Sequence, residues 1–348
     1  MLRIRWSIFP SLLLFFSLSL AGLGGSPTSQ AQETRELVRP LTIELTRERP
    51  VYFKSDDNRR EQFFEATLPA DNAAYNRLSL HFKLSCPGGF CDRWDRYGSF
   101  GIRDEQQRYL ELFRFMTPYG LGEEWTQDLS AFLPLLQGKK TFQVFIDTWV
   151  GPGHPDGNGW LVSASLHFEG GSPEGRAIRV EPLLSAAELI YGEPGQSPVR
   201  SAQLLPLIGA QRAELLTLIS GHGQGNAGNC AEFCPKTHYL QVGEKIYSKL
   251  IWRDNCASSV NPAQKGTYYL SRAGWCPGDK VEPWVQDITD ELLKGSLSFS
   301  YAPEAYENSC RPSASLCEGC VFGTGCSYDG GLHTEPRYFV SSYAIYRR

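Results

Sequence analysis

Apolar and polar positions alternate with period two through much of this chain. In "RLSLHFKLS", Leu78, Leu80, Phe82 and Leu84 fall on one side. In "TFQVFIDTWV", Phe142, Val144 and Ile146 share one face, and Phe145, Asp147 and Trp149 share the other. "SLSFSYA" and the C-terminal "RYFVSSYAIYRR" repeat the pattern. A strand sends successive side chains to opposite faces, so these segments read as strands with one buried face. Gly, Pro and Asn separate them, as expected for short antiparallel strands of a β-sandwich. Long helical patterns are nearly absent. One short helix is predicted over "LSAFLPLLQG", capped by Asp128 or Ser130 and stopped at Gly138.

The pattern breaks at "EGGSPEGR", residues 169–176, which reads as a linker or sharp turn. It splits the chain into two predicted β-sandwich domains, 36–170 and 174–348, with no sequence repeat between them. A length of 348 residues, 41% hydrophobic and 21% charged, suits two packed cores. The N-terminus differs from the rest. Arg3 and Arg5 precede the apolar "SIFPSLLLFFSLSLAGLGG", and the polar "SPTSQAQE" follows. That order predicts a signal peptide over 1–31, cut near Ala31, and a secreted or periplasmic protein. The apolar run is too short for a membrane span, and no later stretch is long enough, so stable membrane association is not expected. Lys and Arg number 34 against 38 Asp and Glu, a formal charge of −4 that falls to −6 without Arg3 and Arg5. Without a basic block, nucleic-acid binding has no electrostatic support.

Ten cysteines behind a signal peptide predict disulfides. Cys86 with Cys91, Cys230 with Cys234, and Cys256 with Cys276 cluster as local pairs; Cys310, Cys317, Cys320 and Cys326 leave the pairing open, with a zinc knuckle at "CEGC" as the alternative.

Four places carry chemistry. "CPGGFCDRWDRYGSF" sets Asp95 four residues beyond a pinned loop, with Trp94 and Tyr97 as ring faces beside it. Flat rings next to carboxylates suit a sugar. The plainer reading is a surface ladder of Asp92 with Arg93 and Asp95 with Arg96. Asp147 and Trp149 share a strand face with Phe145. In "GNCAEFCPKTHY", Glu232 sits in a tight ring between two cysteines, and His238 follows as a structural histidine. In "SRAGWCPGD", Arg272 offers a fixed fork of donors for a carboxylate or an oxyanion, or else an interdomain salt bridge. The six histidines form no metal-binding spacing, and no serine elbow, phosphate loop or dinucleotide fingerprint occurs. "GHGQGNAGN" reads as a mobile loop ahead of Glu232.

Taken in order, "CPGGFCDRWDRY", "LFRFMTPYG", "ISGHGQGNAGNCAEFCPKTH" and "SRAGWCPG", with the strand "FIDTW", resemble the peptide-N-glycosidase F family, secreted bacterial amidases of N-glycans, from about Leu68 to Tyr346. The resemblance implies an all-β fold of two antiparallel eight-stranded jelly rolls side by side, with the glycan at their junction. It implies hydrolysis of the amide between asparagine and the first N-acetylglucosamine, which turns Asn into Asp and releases the glycan as a glycosylamine. It also implies N-glycosylated proteins or peptides as substrate, a monomer, and no metal or organic cofactor. The family's catalytic acids fall on Asp95, Glu232 and Asp147. Its substrate-binding positions fall on Arg96, Trp149, Arg272 and His222. Its disulfides fall on Cys86–Cys91, Cys230–Cys234 and Cys256–Cys276. Two departures stand out: Asp147 replaces a glutamate, shortening the reach by ~1.5 Å, and His222 replaces a tryptophan, exchanging a stacking face for a titratable one. The expected mechanism has Asp95 deprotonating water or holding the scissile amide, and Glu232 donating a proton from a raised pKa. Arg272 and Arg96 steady the oxyanion, and the reverse assignment of the acids stays open. A non-catalytic glycan-binding protein on the same fold is the alternative. A two-domain copper monooxygenase would need histidine clusters that this chain lacks.

Overall fold

The computed structural model describes residues 39–171, 174–193, 195, 197–223, 230–292, 295–308 and 335–348. The proposed signal segment, the second half of the glycine-rich loop, and the four cysteines from Cys310 to Cys326 with their zinc alternative lie outside the described residues.

Most of the alternating segments become strands. The first eight strands are β1 (Leu41–Val51), β2 (Glu61–Thr67), β3 (Tyr75–Ser85), β4 (Tyr97–Arg103), β5 (Tyr109–Met116), β6 (Glu123–Asp128), β7 (Lys139–Ile146) and β8 (Trp160–Gly170). They form two four-stranded sheets, ordered β1-β8-β3-β6 and β2-β7-β4-β5. The next eight are β9 (Ala177–Ile190), β10 (Arg200–Leu204), β11 (Arg212–His222), β12 (Lys236–Val242), β13 (Lys245–Ile251), β14 (Trp284–Asp287), β15 (Leu297–Pro303) and β16 (Arg337–Arg347). They form the sheets β14-β11-β16-β9 and β10-β15-β12-β13. Counted from β9, the second set of sheets has the same neighbour order as the first. Both sandwiches are therefore jelly rolls of one topology, a repeat that the sequence does not show.

The alternating faces decide the cores. Leu78, Leu80, Phe82 and Leu84 on β3 are at most 1% exposed, as are Phe142, Val144 and Ile146 on β7. Each such side chain contributes about 1.5–3 kcal/mol by leaving water. The first core also takes in Ala177, Val180, Tyr343 and Ile345 from β9 and β16, so it runs across the junction. A smaller cluster of Met116, Leu218, Trp275 and Val281 bridges β5 and β11.

Beside it lies a buried ion pair. Glu111 and Arg114 on β5 have no exposed side-chain surface. Arg114 also donates to Ser220 Oγ at 3.0 Å and to the Phe339 carbonyl at 2.6 Å. Tyr343 Oη donates to the Glu111 carbonyl at 2.7 Å, and Ser341 Oγ bonds the Glu111 carboxylate. Every partner of the pair named here comes from β11 or β16, so this network fixes one sandwich against the other.

Two local expectations need correction. The segment at 130–135 is a 3₁₀ turn, Ser130–Leu135, because Pro134 lies inside it and cannot support an α-helical hydrogen bond; Asp128 Oδ1 accepts from the Ser130 amide at 2.8 Å. Strand β7 stops at Ile146, so Asp147 and Trp149 lie in the loop beyond it rather than on a strand face.

Candidate active site

The loop that carries Asp95 is tied at several points. Cys86 and Cys91 are bridged. Asp92, fully buried, accepts from the Trp94 amide at 3.0 Å, from Arg96 Nε at 2.7 Å and from Thr148 Oγ1 at 2.7 Å. Arg93 reaches Asp156 at 2.8 Å instead. The expected ladder is thus wrong in its pairing: Asp92 is the knot of the loop and holds Arg96, which leaves Asp95 to face elsewhere. Trp94 stays exposed, with the Arg93 guanidinium 4.8 Å from its ring centre. Tyr97 is no open platform. Its ring stacks on Phe339 at 4.7 Å and its hydroxyl donates to Glu111 at 3.2 Å, inside the junction.

Asp95 faces Arg272. Its Oδ2 lies 3.5 Å from Arg272 Nη2, and Arg272 Nε donates to Glu232 Oε1 at 3.2 Å. The two acids come from different sandwiches and share one guanidinium that is 1% exposed. That guanidinium cannot swing. Its Nη1 donates to the carbonyls of Thr267 and Leu270 at 3.1 and 2.8 Å, and its plane lies between Phe233 and Trp275, 5.0 and 4.9 Å from their ring centres. The interdomain salt-bridge reading of Arg272 holds, on two carboxylates at once. Glu232 is held within the Cys230–Cys234 ring; its amide donates to the Gly223 carbonyl at 3.1 Å, and its own carbonyl accepts from Ala273 at 2.9 Å. Gly274 makes the tight return behind Arg272, with φ of +85° and no room for a side chain: a Cβ would lie 2.5 Å from the Ile219 carbonyl oxygen.

Burial dominates the electrostatics. It pushes the Glu232 carboxyl up to about 8, with the Asp95 charge adding to the rise and Arg272 opposing it. Burial also raises Asp95, but Arg272, a hydrogen bond from Tyr119 and Arg96 all pull it back. Burial thus holds both acids above the ordinary carboxylate range, and Arg272 opposes the rise in each.

Asp147 and Trp149 meet around Arg60. Arg60 Nη1 donates to Asp147 Oδ1 at 3.3 Å, and its guanidinium lies 4.4 Å from the Trp149 ring and 5.0 Å from Phe53. Burial raises Asp147, against the lowering charges of Arg60 and Arg96. Arg96 thus acts electrostatically on Asp95 and Asp147 together. Trp149 is 51% exposed and lies beside Asp147.

His222 stacks on Trp275 at 5.4 Å and bonds Ser220 Oγ at 2.8 Å. Burial, then Arg114 and Arg337, hold its ring down to about 3, so it stays neutral. The expected titratable face is absent, and the imidazole acts as a flat uncharged ring behind Trp275. His238 is structural as expected, fully buried with Nδ1 2.7 Å from Tyr301 Oη.

Sequence reasoning missed Tyr119, Thr267, Arg60 and the Glu111–Arg114 pair. Tyr119 lies just past the apolar run of β5, in the quoted "LFRFMTPYG", and that was the available signal. Arg60 lies in a charge run at the end of the β1–β2 connection and looks like a solvated loop. Hollows of about 510 Å³ on the outer face of the β1-β8-β3-β6 sheet and about 530 Å³ beside Tyr191 and Tyr306 contain none of the site residues.

The geometry defines a class: a paired jelly-roll protein with one carboxylate from each roll on a shared buried arginine. Residues 100–168 match the family model described as "Peptide-N-glycosidase F, N terminal", and 202–317 match "Peptide-N-glycosidase F, C terminal". The "Peptide-N(4)-(N-acetyl-beta-D-glucosaminyl)asparagine amidase F" of Elizabethkingia miricola is 27% identical over 260 residues, 70% of this chain and 72% of that one. The solved PNGase F of Flavobacterium meningosepticum superposes with a TM-score of 0.73 at 23% identity, covering 89% of this chain and 96% of that one. A PNGF-II structure gives 0.64 at 16%, covering 88% and 66%. The chain belongs to the peptide-N-glycosidase F family.

Proposed function

We propose that this protein hydrolyses the amide between asparagine and the first N-acetylglucosamine of N-glycans, on glycoproteins or glycopeptides, as a secreted or periplasmic monomer without stable membrane association. The observation that carries the reading is the meeting of Asp95 and Glu232 on Arg272. Membership of the family, and the amidase activity in the name of its Elizabethkingia relative, support it.

The site has what the reaction needs. Asp95, the acid with the more charge-stabilising partners, accepts a proton from the attacking water. The water oxygen bonds to the amide carbon, and charge develops on the carbonyl oxygen. The buried cation of Arg272 balances that charge. Glu232, protonated below about 8, gives its proton to the leaving nitrogen. The C–N bond breaks, asparagine becomes aspartate, and a glycosylamine leaves and later loses ammonia. Trp149 offers the sugar a ring face, and Asp147 with Arg60 fixes that face. This lets the shorter Asp147 serve binding without reaching the scissile bond. His222 and Arg96 act behind the site, one as packing under Trp275 and one as charge between Asp95 and Asp147.

The direct test incubates the mature protein with a denatured N-glycoprotein and sequences the product peptide by mass spectrometry. Aspartate at the former glycan site is expected. Glycan binding with the asparagine intact overturns the amidase reading.

A further inference from the structure

We infer that Asp92 is a positioning residue: its buried carboxylate joins the loop that carries Asp95 to the segment that carries Asp147 and Trp149, and so sets the sugar's ring face against the acid pair. The kinetic half of the test rests on the amidase reading; the binding half does not.

Asp92 acts through its neighbours. Its side chain is wholly buried, and a carboxylate there is costly unless its oxygens are paired. Each oxygen has its own partners. Oδ1 accepts from the Trp94 amide at 3.0 Å, which curls the chain leading to Asp95. Oδ2 accepts from Arg96 Nε and from Thr148 Oγ1, both at 2.7 Å. Thr148 is wholly buried as well. It stands between Asp147, whose side chain is 45% exposed, and Trp149, which is 51% exposed. The Asp147 amide, on the Tyr97 carbonyl at 2.9 Å, sets where that segment starts. The Thr148 hydroxyl on Asp92 sets how it continues toward Trp149.

The carboxylate itself is fixed by the backbone on either side. The Asp92 amide donates to the Gly159 carbonyl at 3.3 Å, and its carbonyl accepts from the Gly120 amide at 3.0 Å. Gly157 lies flat against the same bend: a Cβ there would fall 2.1 Å from the Cys91 carbonyl oxygen and 2.8 Å from the Asp92 Cα. Four stretches of the first jelly roll, at 92–96, 120, 148 and 157–159, thus meet at one residue. An apolar side chain would fill the space without desolvating a charge, but it would leave Arg96 and Thr148 free to turn. A directional tie, rather than packing, is what the carboxylate adds.

The tie can be cut from its far end. Thr148→Val keeps the shape and removes the donor. KM for an N-glycopeptide is expected to rise about tenfold while kcat stays within about threefold. Thr148→Ser, which keeps the hydroxyl, restores the wild-type KM. Asp92→Ala removes both side-chain ties, so KM rises as far and kcat falls about a hundredfold besides. Adding Thr148→Val to Asp92→Ala raises KM no further, because that tie is already gone. Should Asp92→Ala fail to fold by circular dichroism, the two Thr148 variants decide alone. An unchanged KM in Thr148→Val, a loss confined to kcat, or KM rises that multiply in the double variant overturns the inference. Binding of free N-acetylglucosamine, followed by the NMR shift of the Trp149 indole proton, gives the same order without cleavage: Thr148→Ser equals wild type and Thr148→Val is about tenfold weaker. Equal affinity in Thr148→Val and wild type overturns it. A wild-type chain that binds in this order yet leaves N-glycoprotein intact supports this inference and sinks the amidase proposal instead.

Discussion

Arg272 holds two carboxylates, Asp95 and Glu232, to which the proposed reaction gives different work. Glu232 moves from the ordinary 4.5 to about 8, chiefly through burial. The folded chain therefore holds that proton more tightly than the unfolded chain does. Its favourable contribution is complete below 4.5 and is lost as pH rises to about 8. Glu232→Gln should remove the fall in kcat/KM above pH 8, cut the maximal rate by about 10²–10⁴, and flatten the decline in Tm between about pH 5 and 8. A retained alkaline limb in the variant would reject Glu232 as proton donor. Asp147 has a different task. Asp147→Ala frees Arg60 from one side of the Trp149 face, so KM should rise while kcat falls less than threefold or so; a loss confined to kcat would put Asp147 in the chemistry. Asp95, Glu232 and Arg272 were legible in the sequence because short disulfide loops and the family likeness single them out. The pairing of Asp92 with Arg96 was not, since adjacent charges in sequence do not state which way a loop turns. Nor was the neutral state of His222, which depends on Trp275, Arg114 and Arg337 around it.

Each acid sits on a tied segment between strands, where a rigid scaffold meets a short loop. The Cys230–Cys234 bridge spans a sequence separation of only 4. Closing so small a loop contributes about 2 kcal/mol to stability by chain entropy. Its larger effect is to fix Glu232. The double replacement Cys230→Ala with Cys234→Ala should therefore cost activity about a hundredfold while the chain stays folded by circular dichroism. Equal losses in both would show a bridge that serves stability alone. The strands themselves were readable from alternation, because burial of one face is what alternation encodes. Their ends were not. Strand β7 stops at Ile146, and the Asp147 amide leaves the ladder for the Tyr97 carbonyl at 2.9 Å. That hydrogen bond comes from the neighbouring segment and has no mark in "FIDTW".

Two jelly rolls of identical topology make up the described residues, yet no sequence repeat betrays them. Period-two alternation tells which face is buried and is silent about which strand lies beside which. The junction was equally hidden. Glu111 and Arg114 lie within an apolar strand pattern, and only the tertiary fold supplies Ser220, Ser341 and Phe339 as their partners. Removing one member leaves a buried charge alone, so Glu111→Gln should cost about 3–5 kcal/mol, read as a lower urea midpoint; a change under about 1 kcal/mol would mean that water reaches the pair. The junction matters because it brings Asp95 and Glu232, from separate rolls, onto one guanidinium, where the proposed reaction uses them together. The measurement that tests this most directly is the rate of N-glycopeptide cleavage by Asp95→Asn, Glu232→Gln and the double variant. Acids acting on the same bond lose their effect together, so the double variant should be no slower than the worse single one. Losses that multiply, or a single variant with near-normal rate, would contradict the account.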